Sequence, residues 1–205
     1  MMPHPCFSVS SPGFWREFVQ QNPMGILVHH DDSGLRATHI PFLLLQNQEG
    51  AEVLAGHLPL ANPQAQMCGM ENQALAIFST PAAYISGAWY GIPAVSTMNY
   101  VAVHIQGIPR PVSISRLRYI LYLLNEKLES LYNRDHPLRL ENLSGSYLEA
   151  NYKQLLGFEM SIDKVEATCK LSQNKSGKDR QEIIRRLRLR GRPEDLWIAH
   201  EMEKS

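Results

Sequence analysis

Five short polar segments interrupt apolar runs of the sequence, and their side chains are the ones that could do chemistry. "ATHIP" offers Thr38 and His39, "GHLPLANPQ" offers His57 and Asn62, and "AYISGAWY" offers Tyr84, Ser86 and Trp89. "MNYVAVH" adds Asn99, Tyr100 and His104. "CKLSQNKSGKDR" follows an alternating run and sets Lys170, Ser172, Gln173, Asn174 and Lys175 in close succession. A buried polar group costs free energy unless it is hydrogen-bonded, so several at strand ends point to a shared partner. The inventory is amides, hydroxyls, imidazoles and a few cations, with aromatic rings nearby. It suits a planar heterocycle with polar edges and a phosphate tail. Amides read the ring edge, rings and Leu or Ile side chains cover the faces, and a cation meets the phosphate. The sequence has no carboxylate pair of the glycosidase sort, no GxSxG elbow, no Walker loop and no GxGxxG. His39 and His57 lack metal-ligand spacing to another His or Cys, so no metal is expected.

Each feature has a plainer reading. "KLSQN" could be a solvated loop capping the last helix, and His39 and His57 could be histidines satisfied by backbone carbonyls. Tyr84, Trp89 and Tyr100 could be core or interface aromatics rather than rings stacked on a ligand. Cys169 reads as a buried structural thiol. His29 and His30 read as exposed at a turn.

The chain has 205 residues and 44% apolar content, enough for a real core. Its formal net charge of +0 lacks the basic excess of a strongly electrostatic nucleic-acid binder. Cys6, Cys68 and Cys169 are odd in number, far apart and without CxxC spacing, which is unlike a disulfide framework or a structural zinc site. Reduced thiols in the cytoplasm are the expectation. The opening "MMPHPCFSVSSPGF" has no charged region followed by an apolar run, so no signal peptide is read there, and no apolar run approaches the roughly 20 residues of a membrane span.

The elements that would position these groups follow from periodicity. Ser11-Pro12 opens a short helix through Phe14, Trp15, Phe18 and Val19, ended by "NPMG". Six strands are predicted next: Gly25 to His30, "LRATHIPFLLLQ", "AEVLAGHL", Ala74 to Ser79, Tyr84 to Trp89, and "TMNYVAVHIQGIP". "DDSG" and "NQEG" supply turns, and "ANPQ" a break. Ile114, Leu117, Ile120, Leu121, Leu124, Leu128 and Leu131 then form one helical stripe. A shorter helix runs through Tyr147, Tyr152, Leu155 and Leu156. "GFEMSIDKVEATCKLS" reads as one last strand, and "KDRQEIIRRLRLRG" as a basic helix. The order predicts an α+β fold around an antiparallel barrel, in a single domain over 1–205 with core strands at about 25–110 and 157–172 and helices at about 113–156 and 177–205.

"GLRATHIPFLL", "GHLPLANPQ", "AYISGAWY", "MNYVAVHIQG" and "CKLSQNKSGKDR" occur in an order and at a spacing that resemble the PaiB family, FMN-binding negative transcriptional regulators, from about Phe14 to Arg186. The resemblance implies a split β-barrel similar to the pyridoxamine-phosphate-oxidase group, usually a homodimer with FMN at the subunit interface. It carries over residue by residue. Thr38 and His39 match the small-hydroxyl–His step before Pro41, and His57 and Asn62 match "GH…ANP". Tyr84 and Ser86 match "YIS", Asn99 and Tyr100 match "WNY", and His104 the His that follows. Lys170, Ser172, Gln173 and Asn174 match "KLSQN" unchanged. The chain departs from the family where "SGAWYGIPAVSTMNY" replaces a longer Lys-bearing segment, where Met98 replaces a Trp, and where Cys169 stands for a Trp. The implied cofactor is FMN. Three functions stay open: a regulator that senses FMN, a flavin-dependent oxidoreductase, and a flavin-free descendant acting as an interaction protein. Arg185, Arg186, Arg188, Arg190 and Arg192 could meet DNA phosphates or form a solvated helix face.

Overall fold

The computed structural model describes residues 5–9, 11–31 and 34–204. The first four residues of the leading segment, and Asp32 and Ser33 of the expected "DDSG" turn, lie outside the described residues. In chain order the elements are α1 (Pro12–Gln21), β1 (Met24–Asp31), β2 (Gly34–Pro41), β3 (Leu43–Gln46), β4 (Glu52–Pro59), α2 (Pro63–Met67), β5 (Ala74–Ser79), β6 (Ala83–Ile85), β7 (Thr97–Gly107) and β8 (Pro109–Pro111). They continue with α3 (Ile114–Tyr132), α4 (Gly145–Tyr152), β9 (Leu155–Ser161), β10 (Lys164–Lys170), α5 (Gly177–Arg190) and α6 (Pro193–Lys204). This is the predicted α+β class, with antiparallel strand pairs and flanking helices.

The chain packs as two compact units: a terminal unit of Met1–Trp15, Ser79–His104 and Glu166–Ser205, and a central unit of Arg16–Phe78 and Ile105–Val165. In the central unit β1 pairs with β2 and β5, and a second ladder runs β3-β4-β9-β8. The sequence shows why the two ladders part. "LRATHIPFLLLQ" is one apolar run, but it breaks at Phe42 into β2 and β3. Pro41 has no N–H to continue a ladder. The Phe42 N–H turns to the Pro23 carbonyl at 2.8 Å, and its ring packs edge-on against Phe78 at 5.3 Å and Phe158 at 6.2 Å. Helix α3 lies over β4 and β9, with Leu117, Ile120 and Leu124 buried against Leu43 and Ala55. Each such burial stabilises by about 1.5–3 kcal/mol. The stripe predicted from periodicity is therefore core in its middle, while its ends, Ile114 and Leu131, are exposed.

In the terminal unit β6 pairs with the start of β7, β10 lies beside β7, and α5 and α6 form a helical pair. Ile85, Ile183, Leu187, Ile198, Ala199 and Met202 are buried there.

Other predicted elements are corrected as well. "ANPQ" is not a simple break: Asn62 caps α2, accepting the Gln64 N–H at 2.9 Å, with Pro63 in the first turn. The predicted strand Tyr84 to Trp89 is the short β6 followed by a 3-10 turn, Gly87–Trp89, capped by Ser86. The shorter helix stops at Tyr152, and Leu155 and Leu156 belong to β9. The last strand is two strands, β9 and β10, broken at Ile162 and Asp163, where the Asp163 N–H bonds the Gln106 carbonyl at 2.9 Å.

Gly107 ends β7 where the chain passes close to β9. A Cβ there would sit 1.7 Å from the Ser161 carbonyl oxygen. Backbone cannot yield as a flexible side chain does, so Gly107→Ala is expected to destabilise the protein by about 3 kcal/mol, read as a lowered urea midpoint with an unchanged slope.

Candidate functional site

The predicted site residues fall into two groups. In the central unit, Thr38 and Asn62 meet: the Asn62 amide donates to Thr38 Oγ1 at 3.0 Å. Both are drawn together by Gln64, a residue the sequence reading did not single out. Thr38 Oγ1 donates to the Gln64 side-chain oxygen. The Gln64 amide nitrogen lies 3.1 Å from the Leu27 carbonyl and 3.0 Å from His29 Nδ1. Gln64 and His29 are each 1% exposed, which corrects the reading of His29 as a turn residue. Much of the hydrogen-bonding capacity of Thr38 and Asn62 thus serves the protein's own interior. His39, one residue along β2, faces the other way and is exposed, as strand alternation requires. His57 lies opposite Gly157 on β9, and its Nδ1 is buried without a partner among the described residues.

In the terminal unit, Asn99, Lys170, Ser172 and Asn174 line one cavity of about 160 Å³. Strand alternation on β7 explains half of it: Thr97 and Asn99 are two apart and share a face. The β10 end supplies the rest. Lys170 Nζ donates to Thr97 Oγ1 at 2.6 Å, and the Asn99 amide reaches Ser172 Oγ at 3.0 Å. Ser172 is 3% exposed and left-handed, with φ 60°. That conformation costs a non-glycine residue of the order of 1 kcal/mol, and the bond to Asn99 helps hold it. The remaining walls are Phe7, Tyr90, Val95, Thr97 and Lys175, of which the sequence reading had named Lys175 as the second cation of its motif. Lys175 Nζ stands 4.3 Å from the centre of the Tyr90 ring. Tyr90 is 7% exposed, and its hydroxyl is buried with no partner among the described residues. Burial first, and Asp179 second, raise its pKa, so it stays a neutral phenol. Among the described residues, two lysines line the cavity and no carboxylate does. Lys175 was named within "CKLSQNKSGKDR", Tyr90 ended the quoted "AYISGAWY" without being named, and Phe7 had no signal at all.

The other predicted residues stand apart from that cavity. Tyr84 is exposed on β6, and its carbonyl accepts from Arg190 at 2.9 Å. Ser86 Oγ accepts the Ala88 N–H at 3.3 Å. Gln173 closes the turn: its side-chain oxygen takes the Leu171 N–H at 2.7 Å, and its amide donates to the Cys169 carbonyl. Cys169 is buried, as expected, and burial pushes its thiol up to about 11.

The basic helix is largely neutralised by its surroundings. Arg185 and Arg186 both pair with Glu182, Arg188 with Glu203, and Arg190 with Asp195. Asp179, in the first turn of α5, accepts the Gly91 N–H at 2.8 Å and so fixes the backbone beside Tyr90.

Known proteins resemble this chain at both levels. Residues 1–164 match the family described as "Putative FMN-binding domain". The "Protease synthase and sporulation protein PAI 2" of Bacillus subtilis is 33% identical over 186 residues, covering 91% of this chain and 88% of that protein. The FAD and heme binding protein from Mycobacterium smegmatis superposes with a TM-score of 0.64 at 13% identity, over 85% of this chain and 78% of that one. A flavocytochrome from Azotobacter vinelandii gives 0.61 at 13% identity, over 87% and 77%. The structural likenesses establish the split-barrel fold. The chain belongs to the FMN-binding PaiB family, as its five motifs indicated.

Two outcomes follow from these networks. His29 and His57 both have pKa values lowered by burial, with Asp31 partly offsetting the shift at His29. The unfolded chain then binds more protons than the fold below about pH 6.5, so stability falls as pH drops through that region. Denaturant midpoints measured between about pH 7.5 and 5.5 should decrease, and His29→Gln should flatten the slope. Asp195 is fully buried, so Asp195→Ala leaves the Arg190 guanidinium largely uncompensated and is expected to cost about 3 kcal/mol by chemical denaturation.

Proposed function

We propose that this protein is a regulator of the PaiB type that uses FMN as a bound ligand or sensor. The observation that carries the reading is the terminal cavity. Asn99, Lys170, Ser172 and Asn174, from distant parts of the sequence, share it with the buried Tyr90 hydroxyl, which has no partner among the described residues. The donor set fits a flavin mononucleotide. Cations, amides and hydroxyls suit its phosphate and polyol. Asn99, Lys170, Ser172 and Asn174, which line that cavity, would hold the cofactor. When bound, FMN supplies redox chemistry, and the protein supplies binding, orientation and electrostatics. The cavity is smaller than the roughly 300–1,000 Å³ of a site that encloses a drug-sized ligand, so a second copy of the chain in a homodimer would complete the enclosure.

The name of the Bacillus subtilis relative, which refers to sporulation, supports a regulatory role. DNA contact through α5 would compete with the ion pairs to Glu182, Glu203 and Asp195 and is secondary in this reading. The cytoplasm, where buried thiols such as those of Cys68 and Cys169 stay reduced, is the proposed compartment. The test is an absorbance spectrum of purified protein after FMN addition and desalting. Retention of about one flavin per chain, with little turnover by NAD(P)H, is expected. Loss of all flavin on desalting would overturn the reading, and rapid repeated reduction and reoxidation would make the protein an oxidoreductase instead.

A further inference from the structure

The contacts of Gln64 fix the protonation state of His29. The Gln64 side-chain oxygen accepts from Thr38 Oγ1. Its amide nitrogen faces the Leu27 carbonyl at 3.1 Å and His29 Nδ1 at 3.0 Å. A carbonyl only accepts, so the amide cannot be turned end for end, and both of its N–H groups are engaged. His29 Nδ1 must then accept, which makes the ring neutral with its proton on Nε2. That Nε2 is buried with no partner among the described residues. Acid can add a proton only at Nδ1, where it sets one N–H against another. Rotating the Gln64 amide gives no relief, because its oxygen would then face the Leu27 carbonyl.

The surrounding charges do not resolve the conflict. β2 places Arg36 directly opposite His29, β1 places Asp31 two residues on along the same face, and the two pair with each other at 3.4 Å. α2 and β5, which also pack against this stretch of β1, carry no ionisable side chain. Burial lowers the His29 pKa, and Asp31 offsets part of the shift. β1 is held by ladders on both sides, to β2 and β5. α2 has five residues, too few to persist as a helix without its tertiary contacts, so it is the element that yields.

We infer that His29 and Gln64 form a proton-sensitive latch: neutral His29 holds α2 on β1 and β2, and protonation releases the segment from Asn62 to Met67 while the sheets stay folded. Release also frees Thr38 Oγ1 and the Asn62 amide from the network they share with Gln64. The latch works without a flavin. His29 has a lowered pKa when the segment is closed and regains about 6.5 when it is released. The closed state is therefore complete above that pH and is lost as pH falls, by up to about ten-fold per unit.

The test is NMR of the full chain without ligand. At about pH 8 the ring nitrogen shifts should show His29 protonated at Nε2 alone. Amide exchange is then followed from about pH 7.5 to 5.5, corrected for the intrinsic pH dependence of exchange. Gln64 and Ala65, whose N–H groups bond Asn62, should lose protection by about ten-fold over the last unit and stay less protected than β4 and β9 throughout. His29→Gln keeps an acceptor for Gln64 and removes the titration, so its α2 protection should hold constant with pH. Circular dichroism and melting temperature confirm that the variant is folded. Three results would each sink the latch: an Nδ1–H tautomer at about pH 8, α2 protection equal to that of β4 and β9 at every pH, or an unchanged pH dependence in His29→Gln. The first two are read on the wild-type chain and need no variant.

Discussion

A carboxylate taken wholly out of water destabilises a fold unless a cation meets it with good geometry. Asp195 is such a carboxylate, fully buried at the start of α6, and the Arg190 guanidinium at the end of α5 meets it. The same guanidinium donates to the Tyr84 carbonyl and stands 5.3 Å from the centre of the Trp89 ring. One charge therefore ties the helical pair to the segment from 84 to 89, whose next residue is Tyr90. Asp179 ties Gly91, on the far side of Tyr90, to the start of α5. The wall of the cavity that carries the unpartnered hydroxyl is thus fastened at both ends by charge-assisted bonds, which are stronger than neutral ones.

The central unit follows the same rule with neutral groups. Gln64 is buried in a short helix and bonds the Leu27 carbonyl, His29 Nδ1 and Thr38 Oγ1 at once. Such a network fixes a unique arrangement because each member left alone would carry a desolvation penalty. It also separates polar residues that serve the fold from those available to a ligand. Thr38 and Asn62 are tied into the network. His29 Nε2, His57 Nδ1 and the Tyr90 hydroxyl are left over among the described residues, and leftover buried polar atoms are where a ligand's hydrogen bonds have the most to offer.

Much of the architecture was legible in the sequence because periodicity reports burial. The stripe of α3, the apolar run of β4, the alternation of β5 and the basic α5 appear where their patterns lie. The misreadings share a cause. A continuous apolar run does not reveal which sheet each half joins, so β2 and β3 were merged across Phe42. Alternation through Ile162 and Asp163 likewise hid the passage from β9 to β10. The helix after Asn62 is only one turn long, too short for a period to be seen, although its cap and Pro63 were both visible in "ANPQ".

The sequence by itself determined the family, the α+β class and the kinds of side chain offered to a ligand, because residue types, their order and their spacing are one-dimensional facts. Only the tertiary structure decided which of those side chains are already spent. Gln173 sits in the same motif as Lys170 and Ser172, yet it turns inward to close its own loop. Lys175 and Tyr90 are 85 positions apart and meet as cation and ring. The physical reason is that a hydrogen bond or a cation–ring contact is satisfied by proximity in space, and sequence spacing fixes proximity only within one helix or strand.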